Sequence, residues 1–308
     1  MSDVEKSNLK FGIKDEKARQ HLYLDLSIDA LIEKMGTLQL TDICENREMP
    51  FFAQVRGYLG AKDPEGGAWL VKEVTEEEAK EHKAQEIAYY IDFMLGTLAA
   101  PTILSVQNGV FYRATKTIKN AMQIGSYNYL EEPFKKILAN DLINRWLFFD
   151  EDRNPNNYLV LHDIDSKKYV IVIDYNKADL FIRGMKISGN NQKFGWQRKE
   201  QTRFLTLLKP ENFSNMCIDD FEDRLSALMN IEPEKIMEIG RKAYSFFTES
   251  EQKETVKLIT ANVLERRTYI NDYFRKWFKS RDIEQQKQED QRYAGLGQSF
   301  LDYYKKKE

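Results

Sequence analysis

The chain has 308 residues, enough to bury a substantial core as one large domain or two modest ones. Its 46 basic and 49 acidic side chains leave a formal charge of −3, which provides no general attraction to a polyanion and argues against direct nucleic-acid binding. Cys44, Cys217 and the three histidines (His21, His82, His162) form no CxxC or HExxH spacing, so a structural zinc site is not expected; the polar N-terminus and the lack of a membrane-length apolar segment point to a cytoplasmic protein with free thiols.

In chain order, residues 1 to about 20 are charged and read as loose, and "LYLDLSIDALIEKMG" mixes helical and strand-like spacing. From Phe51 an apolar run, a turn cluster at Asp63 to Gly67 and a strand at Ala68 to Val74 predict a β-hairpin. Thr75 ahead of three glutamates predicts a capped helix that stops at Gly96. "TILSV" and "GVFYRATKTI" follow as two strands joined at Asn108-Gly109, a two-residue hairpin signal. Beyond them the character changes. Helical spacing dominates at Phe134 to Phe149, Glu222 to Met229, Pro233 to Phe247 and Glu251 to Phe278, interrupted by one strand pair, Tyr158 to Leu161 and Tyr169 to Ile173. The charged stretch up to Arg292 reads as a solvated helix, and Gly295 and Gly297 as the start of a loosely docked tail. The expected fold class is α+β in two lobes: an N-terminal extension at 1–50, a β-rich lobe with one main helix at 51–118, a larger helical lobe at 119–280 and a tail at 281–308.

The apolar helix at about Asp141 to Phe149 runs into the polar loop "DEDRNPNN", and the returning strand "YVIVI" ends at Asp174. Asp152 precedes Asn157 by five positions, the interval between the catalytic aspartate and the metal-holding asparagine of a kinase loop. Taken alone, such a loop reads as an ordinary Asx- and Pro-rich turn, and Asn156 competes with Asn157 for the register. Asp174, following at the right distance, supplies a second metal ligand. Upstream, Lys72 in "WLVKEV" sits on a strand where it could reach nucleotide phosphates, although a lone edge-strand lysine is more often solvated. Glu86 lies amid an apolar helix face, where an unpaired carboxylate would be costly and a lysine partner would relieve the cost; Glu78 and Glu81 are alternatives on the same helix. Phosphoryl transfer needs these parts: positive charge at the phosphates, oxygen ligands for magnesium and a group to orient the attacking hydroxyl.

"DRNPNN", "VIDY", "LVK" and "EIAYYIDFMLG" followed by "AAP" together resemble the atypical branch of the protein-kinase-like fold, the HipA-like and phosphoinositide kinases, over about Phe51 to Phe181. The resemblance implies ATP and Mg2+ as cofactors, Lys72 on the α- and β-phosphates, Glu86 positioning Lys72, Asp152 as catalytic aspartate, and Asn157 and Asp174 as magnesium ligands. The hinge would lie at "FYRATKTIKNA", with adenine held by backbone groups near Thr115 to Ile118, Thr115 and Lys116 among them. Asn176 stands where many kinases have glycine, and asparagine tolerates left-handed backbone geometry. Ser188, in the loop after Asp174, is a candidate autophosphorylation site. A serine/threonine protein acceptor and an antitoxin-like regulatory partner follow from the resemblance. A small-molecule kinase, an AMP-transferring enzyme and a nucleotide-binding pseudokinase scaffold are the competing readings.

Overall fold

The computed structural model describes residues 11–45, 53, 55–129, 131–150, 155–182 and 215–305. Two short helices come first. Helix α1 (Glu16–His21) is capped by Asp15, whose carboxylate accepts from Lys17 N at 2.9 Å, and α2 (Ile28–Gly36) by Ser27. Leu31, Ile32 and Met35 form the buried stripe of α2, which resolves the mixed spacing of that segment as helix.

Next come β1 (Thr41–Cys44), β2 (Leu59–Lys62) and β3 (Ala68–Val74), then helix α3 (Glu76–Met94), then β4 (Thr102–Gln107) and β5 (Val110–Lys116). The strands form one antiparallel sheet in the order β1-β2-β3-β5-β4. Asp63 closes the β2–β3 turn by accepting from Gly67 N (2.6 Å) and Glu65 N (3.1 Å). Asn108 and Gly109 both have positive φ, 50° and 79°, as the two-residue β4–β5 turn requires. The anticipated capping box of α3 is present between Thr75 and Glu78, and Gly96 (φ 75°) lies just past its end.

Register decides which way each strand residue points. Lys72 lies opposite Arg113 and Leu70 opposite Thr115, so these four share one face; Trp69, Val71, Ala114 and Lys116 share the other. The second face is the outer one, covered by the N-terminal segment through Tyr23 and through Leu40, whose carbonyl accepts from Gln107 Nε2 at 2.7 Å. That segment reaches the second lobe as well: Lys14 N and Asp15 N donate to Asp163 at 2.7 and 2.8 Å, and the Tyr169 hydroxyl to Gly12 O at 2.5 Å.

The larger lobe contains β6 (Ala121–Gln123), helix α4 (Phe134–Leu147), the ribbon β7 (Tyr158–His162) and β8 (Lys168–Val172), and helices α5 (Asp219–Met229), α6 (Pro233–Ala243) and α7 (Glu249–Lys305). Strands β6, β7 and β8 make a three-stranded antiparallel sheet. The lobes join where the linker after α3 runs beside β8, with Val172 N donating to Leu98 O (2.8 Å) and Ala100 N to Val172 O (2.9 Å). Helix α7 continues through Gly295 and Gly297 to Lys305, in place of the expected loose tail. Each glycine costs a helix only about 1 kcal/mol, which neighbouring strong helix formers offset.

Candidate functional site

The β7–β8 ribbon ends at the junction of the lobes, and two of the anticipated metal ligands meet there. Asn157 closes a short 3-10 turn (Pro155–Asn157) just before β7, and its carbonyl accepts from Ile173 N at 3.0 Å, which sets Asp174 beside it in the next position. Asp174 has left-handed backbone geometry (φ 62°), a strained conformation for a non-glycine residue, and its carboxylate accepts from Asn176 N at 3.1 Å. The left-handed residue of "DYN" is therefore the aspartate, where the sequence suggested Asn176. Asp152 and Ser188 lie outside the described residues.

Between Asp174 and Asn176, Tyr175 turns inward and is buried. Its hydroxyl donates to Asp92 Oδ2 at 2.5 Å, and its ring lies 5.2 Å from the Arg145 guanidinium. Arg145 is fully buried; its guanidinium also bonds Asp92, and it lies 3.3 Å from Asp141 and 3.6 Å from Asp150. Burial pushes the Asp92 carboxyl up, against the opposing pull of Arg145. This network ties α3, α4, the residue preceding the "EDRN" loop and the "DYN" turn into one unit. Sequence reading passed over it, although the signal was available: Asp92 and Arg145 each interrupt an otherwise apolar helix segment, and buried charges of opposite sign need one another.

On the opposite side of the junction, the inner face of the five-stranded sheet presents Lys72 and Arg113. The Tyr58 ring lies under both, 5.8 Å from Lys72 Nζ and 5.4 Å from the Arg113 guanidinium. Arg113 donates across the lobes to Asn176 Oδ1 and also to the Tyr58 hydroxyl. Lys72, Arg113, Asn157 and Asp174 are thus brought to one cleft. His82 on α3 borders it, held below the usual imidazole range first by burial and then by the Arg113 charge.

Three expectations are corrected. Glu86 does not face Lys72. Its carboxylate bonds Lys83 Nζ at 2.8 Å, accepts from Leu104 N at 3.1 Å and from the Tyr90 hydroxyl at 3.1 Å, while Lys83 donates to Leu104 O at 3.3 Å. Leu104 lies on β4, an edge strand, so this buried ion pair occupies both backbone groups that the sheet leaves unpaired there. Lys116 points to the outer face, 2.9 Å from Asp63, with the Tyr23 hydroxyl 2.8 Å from its ammonium, away from the cleft. Thr115 keeps its side chain on the inner face, near Thr102 Oγ1 (3.4 Å). The backbone donors of Lys116 and Thr117 are bonded to Pro101 O and Ala68 O, so neither is available to adenine.

Asn157 and Asp174 offer hard oxygen donors of the type magnesium prefers. Among the described residues, no cluster of three or more His, Cys, Asp or Glu side chains is arranged to hold a metal, and no helix is long and apolar enough to cross a membrane.

No family model matches the chain, and no curated protein matches it significantly. Among solved structures it is similar to the Helicobacter pylori proinflammatory kinase CtkA (13% identity, TM-score 0.47, covering 75% of this chain and 97% of that one). It is also similar to HipA in the Shewanella oneidensis MR-1 HipA, HipB and operator DNA complex (9%, TM-score 0.41, 82% and 73%) and to the pseudokinase domain of BIR2, an immune regulator of the RLK/Pelle family (11%, TM-score 0.26, 82% and 93%). At these identities and scores the likenesses assign no family. The lobe architecture nonetheless agrees with the resemblance carried by the motifs: an antiparallel sheet with one long helix joined to a mainly helical lobe, in the two-lobed, kinase-like arrangement.

Proposed function

We propose that the chain is an ATP- and magnesium-dependent phosphotransferase of the HipA-like type, with a serine or threonine hydroxyl of a protein as acceptor. The observation that carries this reading is the meeting, at one cleft, of two cationic side chains from the sheet and two oxygen donors from the end of the β7–β8 ribbon. In this reading Lys72 balances phosphate charge and Asn157 and Asp174 would hold magnesium, which when bound neutralises charge developing on the phosphates. Asp152 orients the acceptor hydroxyl and takes its proton as the new oxygen–phosphorus bond forms and the β–γ bridge breaks, releasing ADP. A regulatory partner of the antitoxin kind and a cytoplasmic location belong to the same reading.

One observation favours a second reading, a nucleotide-binding pseudokinase. Lys72 has no carboxylate in ion-pair contact among the described residues, because Glu86 is bonded to Lys83. An experiment that separates the two readings follows ATP binding and transfer from γ-labelled ATP with magnesium, to the protein itself and to a generic protein acceptor. Wild type should bind and transfer, whereas Asp152→Ala and Asp174→Asn should lose transfer by at least about a hundredfold, the range for general-base and electrostatic groups. Binding without transfer by wild type selects the pseudokinase or AMP-transfer reading, and absence of binding removes the nucleotide reading.

A further inference from the structure

The Arg113 guanidinium has been given no role so far, yet it is the cleft's second sheet cation. It lies directly opposite Lys72 in the β3–β5 register, so the two side chains leave the sheet on the same face at neighbouring positions. They flank the same Tyr58 ring. Neither is in ion-pair contact with a carboxylate among the described residues: Arg113 bonds the neutral oxygens of Asn176 and Tyr58, and Lys72 lies over the ring, with Glu78 reached only through its field. The buried lysines differ: Lys83 is paired with Glu86 and Lys116 with Asp63. Two adjacent cations repel one another, and an anion spanning both relieves that repulsion. A guanidinium supplies a planar fork suited to phosphate oxygens, whereas an ammonium acts as a point charge. The bond from Arg113 to Asn176 places the fork two residues from Asp174, where a polyphosphate chelated by magnesium would have to pass.

We propose that Arg113 is a phosphate-binding residue that, together with Lys72, forms a two-cation site for the polyphosphate chain of a nucleotide. The proposal deepens the phosphotransferase reading and rests on it for the identity of the nucleotide. Its test is a set of equilibrium titrations of the full chain with ATP, AMP and inorganic tripolyphosphate, comparing wild type, Arg113→Met and Arg113→Lys, with thermal melts to establish that each variant is folded. Losing a charge-assisted contact should weaken ATP and tripolyphosphate binding by about tenfold to a hundredfold in Arg113→Met. AMP binding should stay near wild type, and Arg113→Lys should recover part of the loss. ATP affinity unchanged in Arg113→Met overturns the proposal, as does an equal loss of ATP and AMP, which would mark Arg113 as a structural residue. Tripolyphosphate separates this proposal from the broader one: Arg113-dependent binding of tripolyphosphate without any binding of ATP supports the two-cation site and removes the kinase reading. Binding of neither ligand by wild type overturns both.

Discussion

The two faces of the β3–β5 ladder treat their cations differently. On the outer face Lys116 is almost fully buried, 2.9 Å from Asp63, with the Tyr23 ring 4.1 Å from its ammonium. Asp63 in turn accepts from the Trp69 indole at 2.9 Å and from two turn amides. On the inner face, three residues away along either strand, Lys72 and Arg113 are half-buried and are in ion-pair contact with no carboxylate among the described residues. An alternating strand thus carries a structural ion pair on one side and, on the other, two neighbouring cations in contact with no acid. Charge type alone does not separate the two faces of this ladder; the acid partner does. Lys116 and Lys72 look equally eligible in sequence, and only the register sorts them.

The largest effect expected from this contrast is on the outer face. Lys116→Met leaves the Asp63 carboxylate buried without its cation and should destabilise the protein by about 3–5 kcal/mol, read as a lowered midpoint in chemical denaturation. The pH dependence has a definite sign. Burial acts to raise the Asp63 pKa, but the bonds from Trp69, Lys116 and Gly67 outweigh it and hold the group at about 2. A carboxylate depressed in the folded state adds stability above its unfolded value, about 3.9, and that stability is lost as pH falls through about 2. Wild type should therefore lose stability between about pH 4 and pH 2, with a shallower loss in Lys116→Met. Parallel acid curves for the two proteins would show that the pair is not what holds the turn.

A smaller effect is expected at α3, where sequence and structure disagree about Glu86. If Glu86 positioned Lys72, Glu86→Gln would abolish transfer and leave stability nearly unchanged. The geometry predicts the reverse weighting: loss of the Lys83 charge partner and weakening of the clip on Leu104 should cost about 1–3 kcal/mol of stability. Transfer by the folded fraction should stay within a fewfold of wild type. Measuring both quantities on one preparation decides between the assignments.

What the sequence disclosed and what it withheld follow the same division between local and non-local information. The α3 cap, the Asn108-Gly109 turn and the β7–β8 ribbon were legible because each is set by a few neighbouring residues. The meeting of Asn157 and Asp174 was legible because a ribbon folds its own ends together. The partner of Glu86 was not, since it depends on how α3 rotates against the edge strand β4: Lys83, three residues away on the helix, reaches Glu86 where Lys72 does not. In the Asp92–Arg145–Tyr175 network, Asp92 is more than fifty positions from either partner, and nothing in local spacing pairs them. Arg113 was passed over for the same reason, because its meaning comes from Lys72 on a neighbouring strand and from Asn176 in the other lobe.

The smallest stability effect, and the sharpest test of the contrast, belongs to Lys72. A half-buried lysine with no acid partner adds little to the folded state, so Lys72→Met should change stability by no more than about 0.5 kcal/mol, against several for Lys116→Met on the other face of the same ladder. Its effect should appear in nucleotide binding, with ATP affinity falling about tenfold or more. Wild-type affinity should also fall as salt rises, because exposed charges are screened over about 10 Å at 0.1 M ionic strength. The salt dependence should be weaker in Lys72→Met, which has one cation fewer to screen. If Lys72→Met instead destabilised the protein as much as Lys116→Met does, the inner-face cations would be structural like the outer one, and the cleft would lose its claim to be a phosphate site.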